Sequence, residues 1–238
     1  MLTGKFMSLR RRDSLPDVEQ RALENAISEV RTYEPRRVLV RAGERLTNST
    51  LLLDGVVCRS RELVDGKRQL LAFHIAGDFI DLHGFLLKAL EHDMVSMTSV
   101  DIALIPHEAL RAITETHAHL TRLLWFSTLV DAAIHREWIA ARSMGAQGRI
   151  AHLLCELQIR MELVGLANRR GFDLPLTQID LADATGLTAV HVNRTLRRLR
   201  EAGIAEFAAG RVTIHDLDAL WEVAAFDPSY LYLEQDEV

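Results

Sequence analysis

Cysteine is scarce, with only Cys58 and Cys155 in 238 residues, set far apart in the chain. That excludes a disulfide framework and any zinc or iron-sulfur motif built on clustered thiols, and it fits a reducing, cytoplasmic setting. Long apolar runs are missing as well. The longest uncharged one, Leu123 to Val130, is far short of a membrane span, and the N-terminus, despite Arg10, Arg11 and Arg12, carries no apolar stretch of signal-peptide length. No membrane partner is expected. Strong charge of either sign is absent too. The formal net charge of -5 argues against a uniformly basic nucleic-acid coat, although a local basic face stays compatible with it. There is no internal repeat and no low-complexity segment.

What is present is ample apolar and charged material, 48% and 26% of the chain, enough for two domains with real cores. Residues 1–35 are charge-mixed, with Pro16 at a helix start and Leu15, Val18, Leu23, Ala26 and Ile27 suited to short helices. From Arg36 to Pro106 short apolar runs alternate with turn residues, which predicts a compact antiparallel β domain. Asp54-Gly55 and Asp65-Gly66 each stand between apolar runs and read as hairpin turns, since Asp-Gly tolerates positive φ. A more helical insertion, Leu82 to Leu90, interrupts the strands.

After Pro106 the period becomes helical. No Gly or Pro interrupts His117 to Ser143, about 27 residues or roughly 40 Å of helix. Leu120, Leu124, Ser127, Ile134 and Trp138 lie near heptad spacing, broken by Asp131, so this stripe is a candidate dimer seam. Packing of the same stripe against the chain's own β domain stays open. Gly145 and Gly148 are expected to break the helix and form an interdomain hinge, and an apolar helix from Arg149 to about Val164 opens the second domain.

Leu176 to Arg200 carries the most chemistry. Thr177 with Asp180 has the spacing of a helix cap, Ile179, Leu181 and Ala182 supply an apolar face, Gly186 a turn, and Thr188 a second cap. In the next helix Val192, Leu196 and Leu199 point inward, while His191, Asn193, Arg194, Arg197, Arg198 and Arg200 are mostly outward. Helix, glycine turn and basic helix make a helix-turn-helix. Its second helix suits a major groove, with base contacts from its first turn and cations on phosphates. Ile204 to Phe207, the Ala209-Gly210 turn and Arg211 to Ile214 read as a two-strand wing, with Arg211 near phosphate.

These elements resemble the Crp-Fnr superfamily of bacterial transcription regulators over about residues 35–225, most specifically at Gly77-Asp78-Phe79, Gly148-Arg149-Ile150-Ala151 and Thr177 to Arg200. The resemblance implies an α+β chain with an antiparallel, jelly-roll-like sensory β-roll (36–116), a dimerisation helix (117–144) and a winged helix-turn-helix (145–225); the N-terminal helical segment (1–35) and the C-terminal tail (226–238) lie outside it. It implies a homodimer on double-stranded DNA bearing an inverted repeat, with RNA polymerase a further candidate partner. By position, Thr177, Gln178 and Arg197 fall on phosphate, Thr188 caps and contacts backbone, and Ala189, Val190, Asn193 and Arg194 lie at or near base edges. His191 either reaches DNA or packs beside the turn. Ala189 and Val190 depart from the Arg and Glu of the catabolite-activator pattern, so operator preference does not transfer.

Nucleotide-binding relatives hold ribose with a Glu where this chain has Leu82, and the phosphate position near Leu90-Glu91 lacks their Arg. An anion facing Glu91 without a cation is repelled, so cyclic AMP is not expected. The N-terminal cysteine cluster of oxygen-sensing relatives is absent, and no iron-sulfur cluster is expected. His83 lies near the haem ligand of carbon-monoxide-sensing relatives; a packed histidine, a haem at His83, and a small polar effector on Asp81, Leu82 and His83 stay open. A metal-dependent hydrolase using His92-Asp93 with His117 and His119 is disfavoured: positions two apart on a helix point about 200° apart. Neither a catalytic residue nor a resident metal is expected.

Overall fold

The computed structural model describes residues 1–7 and 15–233; the Arg10-Arg11-Arg12 run and residues 234–238 lie outside the described residues. The chain divides into two compact units, one of Met1–Arg61, Ala72–Ala132 and Tyr232–Val238, the other of Glu62–Leu71 and Ala133–Leu231.

In the first unit a short 3-10 turn, Leu2–Lys5, precedes α1 (Asp17–Asn25), which begins directly after Pro16. Then come β1 (Glu29–Tyr33), β2 (Val38–Val40), β3 (Asn48–Asp54), β4 (Val56–Glu62) and β5 (Arg68–Ile75). The four-residue helix α2 (Gly84–Leu87), β6 (Asp93–Ser96), β7 (Val100–Pro106), α3 (His107–Thr116) and α4 (Ala118–Ala141) follow, the last belonging to the first unit only as far as Ala132. Two antiparallel sheets result, ordered β1-β7-β3 and β2-β6-β4-β5. Phe6, Leu23, Leu51, Phe79, Leu82 and Ile105 pack with Leu110 and Ile113 of α3 and with Leu120 and Leu124 of α4. Gly77 holds φ +97, and a Cβ there would strike the Lys5 backbone, so this glycine admits the N-terminal turn.

The two Asp-Gly turns differ. Asp65-Gly66 closes a true hairpin, since β4 and β5 are neighbours, with the Leu63 amide donating to the Lys67 carbonyl at 2.8 Å. Asp54-Gly55 instead joins strands of different sheets. Gly55, at φ +86, turns a corner against the Ser99 carbonyl, which leaves no room for a Cβ. The expected helix from Leu82 to Leu90 shrinks to α2, because Lys88 takes a left-handed conformation, φ 69.

The predicted dimer seam is corrected. Leu120, Leu124 and Ile134 are 0%, 5% and 5% exposed within the single chain, and Ser127 and Trp138 are half-buried. Leu120 and Leu124 belong to the first unit's own core, where a helix laid along a β domain must bury one face, while Ile134 is buried in the single chain and the Trp138 indole donates to Glu156. The interrupting Asp131 is not a flaw in a seam: its carboxylate accepts from the buried Arg59 guanidinium of β4 at 3.2 Å.

In the second unit α5 (Ala146–Leu163) leads into β8 (Ala167–Asn168) and β9 (Gly171–Asp173), then α6 (Gln178–Thr185), α7 (Ala189–Glu201), β10 (Ala205–Ala208), β11 (Arg211–Ile214) and α8 (Leu217–Ala224). Gly148 does not break a helix; it sits in the first turn of α5 and only Gly145 precedes that helix. The wing is a four-stranded sheet, β10-β11-β9-β8, rather than two strands, because the polar Asn168 to Gly171 stretch forms a tight hairpin of its own. Beyond α8, Tyr230 and Leu231 are buried, so the described segment docks as far as Leu231. Glu156, fully buried on α5, accepts hydrogen bonds from Trp138 Nε1, Arg160 Nη1 and the Tyr230 hydroxyl, each at 3.0 Å.

Candidate nucleic-acid interface

Two caps place the helices of the motif. The Thr177 hydroxyl accepts from the Asp180 amide at 3.1 Å, while Asp180 Oδ2 accepts from the Thr177 amide and hydroxyl at 2.8 Å, a reciprocal capping box. Gly186 ends α6 at φ +67, a conformation that favours glycine, and Thr188 Oγ1 accepts from the His191 amide to start α7. Val192, Leu196 and Leu199 face the core, as their spacing requires. Ala189, Val190, His191, Asn193, Arg194, Arg197, Arg198 and Arg200 are all exposed, so α7 presents a largely polar and basic face with Ala189 and Val190 at its start.

Gln178 Oε1 accepts from Asn193 Nδ2 at 3.2 Å, so the side chain nearest the α6 N-terminus orients one on the presented face of α7. His191 Nδ1 lies 3.1 Å from Thr188 Oγ1, which ties it to the cap. Arg197 is 3.7 Å from Glu201 on the same helix. Arg211 is not a free wing tip: its guanidinium pairs with Asp173 across the β11–β9 register. Ile179 was expected on the inward face of α6 and is instead 61% exposed; at N2 of a helix that buries Leu181 and Ala182, it turns outward. Val190, 76% exposed, is the other large apolar side chain standing out of this motif.

The proposed effector trio does not converge on one open surface. Asp81 is buried and accepts from the Thr50 amide at 2.6 Å and hydroxyl at 2.8 Å, bracing β3; Leu82 packs in the apolar core. His83 is half-buried with its ring 5.7 Å from that of His92. Among the described residues no group of three or more His, Cys, Asp or Glu side chains is set to hold a metal ion, and none of the helices is long and apolar enough to cross a membrane.

Burial pushes the Asp81 carboxyl from 3.8 up to about 7, against the opposing pull of Thr50 and Arg59. Burial and Arg59 push His92 from 6.5 down to about 4, with Glu91 opposing. The signs oppose. Between 3.8 and about 7 the folded chain keeps an Asp81 proton that the unfolded chain has released, so this group lowers stability as pH rises. Between about 4 and 6.5 the folded chain lacks a His92 proton that the unfolded chain holds, so that group raises stability with pH. Asp81→Asn removes only the falling contribution. The variant's stability relative to wild type is expected to climb as pH rises through the Asp81 window; urea melts at several pH values check this, and a flat difference refutes it.

Two family matches cover the chain's main parts: a cyclic nucleotide-binding domain on residues 30–117 and a Crp-like helix-turn-helix domain on residues 148–223. Among curated proteins, the transcriptional activator protein FnrL of Cereibacter sphaeroides is 25% identical over 216 residues, 89% of this chain and 86% of that protein. The fumarate and nitrate reduction regulatory protein of Escherichia coli is 25% identical over 219 residues, 89% and 84% of the two chains. Among solved structures, FixK2 from Bradyrhizobium japonicum superposes with a TM-score of 0.75 at 23% identity, covering 84% of this chain and 98% of that one.

Proposed function

We infer, because the chain belongs to the Crp-Fnr family of transcription regulators, that it binds an inverted-repeat operator as a homodimer. The sensory β-roll is assigned to residues 36–116, the dimer helix to 117–144 and the DNA-binding domain to 145–225, with flanking segments 1–35 and 226–238. The observation that carries the reading is the exposed face of α7, whose first two turns offer Ala189, Val190, Asn193 and Arg194 while its apolar side is buried. Such a helix fits a major groove, and two of them related by a dimer axis read half-sites about 34 Å apart. Arg194 can hold guanine through two hydrogen bonds, and Val190 can touch a thymine methyl. Thr177, Gln178, Thr188 and Arg197 are the proposed backbone contacts, with His191 beside them. Arg211 joins them only by leaving Asp173. Control of transcription then depends on where the operator lies relative to RNA polymerase.

A dimer seam different from the one expected supports the reading. Arg122, Trp125, Leu129, Ala132, Arg136 and Ile139 follow the alternating three- and four-residue spacing of a coiled-coil seam along α4. Trp125, Leu129 and Ile139 are 66%, 51% and 70% exposed in the single chain, an apolar stripe that a second copy's helix would cover. In the sensory half the proposal needs no cyclic nucleotide: Leu82 is core, and Glu91 lies beside His92, 3.1 Å between Oε1 and Nδ1.

The test is selection of bound DNA from a randomised pool, with light scattering on the same protein and on Leu129→Glu. Wild type is expected to enrich an inverted repeat and run as a dimer, and Leu129→Glu to run as a monomer that enriches none. A monomeric wild type, or an enriched site without two-fold symmetry, overturns the homodimer reading.

A further inference from the structure

Within the second unit, the hairpin tip Glu62–Leu71 carries a contact that the DNA-binding motif does not need for its own caps. Arg68 Nη2 donates to Asp180 Oδ1 at 2.7 Å, and its Nε donates to Asp183 Oδ2 at 2.8 Å. The same Nη2 lies 2.7 Å from Asp183 Oδ2. Beside it, Gln69 Nε2 donates to the Asp183 backbone carbonyl. One guanidinium therefore spans two carboxylates on successive turns of α6. The fork geometry of arginine permits this, and an ammonium does not reproduce it.

We propose that Arg68 is a positioning residue for DNA reading, setting α6 through Asp180 and Asp183 and, through α6, the side chains that face the operator. Asp180 is the pivot: Oδ2 closes the capping box with Thr177 while Oδ1 receives Arg68, and the side chain is 1% exposed. A buried carboxylate needs a partner for each oxygen, so loss of Arg68 strains the cap from its far side. The next residue in line is Gln178, first in α6, whose side chain accepts from Asn193 on α7. The path from hairpin to operator is thus Arg68, Asp180 and its cap, Gln178, then Asn193. Arg68 Nε and Nη2 are held by the two carboxylates, so the effect proposed for it on DNA is indirect, with no phosphate contact of its own.

This inference rests on the DNA-binding reading above, and the experiment separates their failures. Wild type, Arg68→Gln, Asp183→Asn and the double variant are titrated against the selected operator and random DNA at several salt concentrations, with thermal melts alongside. Asp183 is the chosen partner because it is partly exposed, unlike Asp180. Arg68→Gln is expected to lose about tenfold in operator affinity, a coupling of ordinary size for a contact network. It should lose much less on random DNA and keep the salt slope of wild type, since no phosphate contact is removed. The double variant should be no weaker than Arg68→Gln alone, because Asp183→Asn removes a contact that Arg68→Gln has already broken.

Operator affinity unchanged in Arg68→Gln overturns the inference. So does a salt slope reduced by about one charge, which marks a direct phosphate contact. Equal losses on operator and random DNA with a lowered melting temperature mark a merely structural role and overturn it too. A wild type that binds no DNA defeats the DNA-binding reading and this inference together; a wild type that binds, with Arg68→Gln indistinguishable from it, defeats this inference alone.

Discussion

Arg194→Ala is expected to erase base preference at one position of each half-site while leaving binding to random DNA nearly intact. The side chain stands exposed on the presented face of α7, two positions beyond the buried Val192 and six residues past the Thr188 cap. A guanidinium so placed can present two parallel donors to one guanine, which discriminates by about 1–3 kcal/mol per contact. Two half-sites double it to about 2–6 kcal/mol, at least roughly a thirtyfold loss of operator affinity. Selection with the variant should return the same inverted repeat with one position per half-site degenerate. Arg197→Ala, by contrast, should weaken operator and random DNA alike, because a phosphate contact carries no sequence information. Equal losses on the two kinds of DNA for Arg194→Ala would refute its assignment as a base reader.

The second large effect is on stability. Glu156→Ala should cost about 3–5 kcal/mol, the usual consequence of removing one partner from a buried, hydrogen-bonded ion pair. Glu156 is fully buried and Arg160 nearly so, and the carboxylate also serves the Trp138 indole and the Tyr230 hydroxyl. Burial raises the Glu156 carboxyl, and its three donors pull the other way. Truncation deprives Arg160, the Trp138 indole and the buried Tyr230 hydroxyl of this carboxylate. Glu156→Gln keeps an acceptor oxygen and should lose less. Urea melts read the difference, which for a chain of this size is a fall in Tm of roughly 10 °C for the alanine variant. Because Tyr230 is one of the three donors, the chain end around it should become protease-sensitive in Glu156→Ala before the rest unfolds. A loss below about 1 kcal/mol would show that the network is not holding this unit together.

Much of this was legible along the chain. Thr177, Asp180, Gly186 and Thr188 specify caps and a turn by local chemistry, so both helices of the motif could be placed without knowing their surroundings. The exposed polar face of α7 follows from helical spacing alone. The departure at Leu82 is likewise a matter of residue identity.

What sequence periodicity could not decide was which partner covers each apolar surface. Both the Leu120, Leu124, Ile134 stripe and the Trp125, Leu129, Ile139 stripe repeat at helical spacing, and only the packing of α4 shows that the first is buried within the single chain and the second is exposed. Nor could local chemistry distinguish Asp54-Gly55 from Asp65-Gly66, since a turn residue fixes the backbone bend and not the sheet in which the next strand pairs. The contact of Arg68 with Asp180 and Asp183 joins residues more than a hundred positions apart. Local residue chemistry by itself determined the caps, the turn and the reading face, because those forces act within a few residues. Tertiary structure alone decided which face of α4 is buried, the corner and the carboxylates that Arg68 holds, because burial and ion pairing depend on what the folded chain brings close.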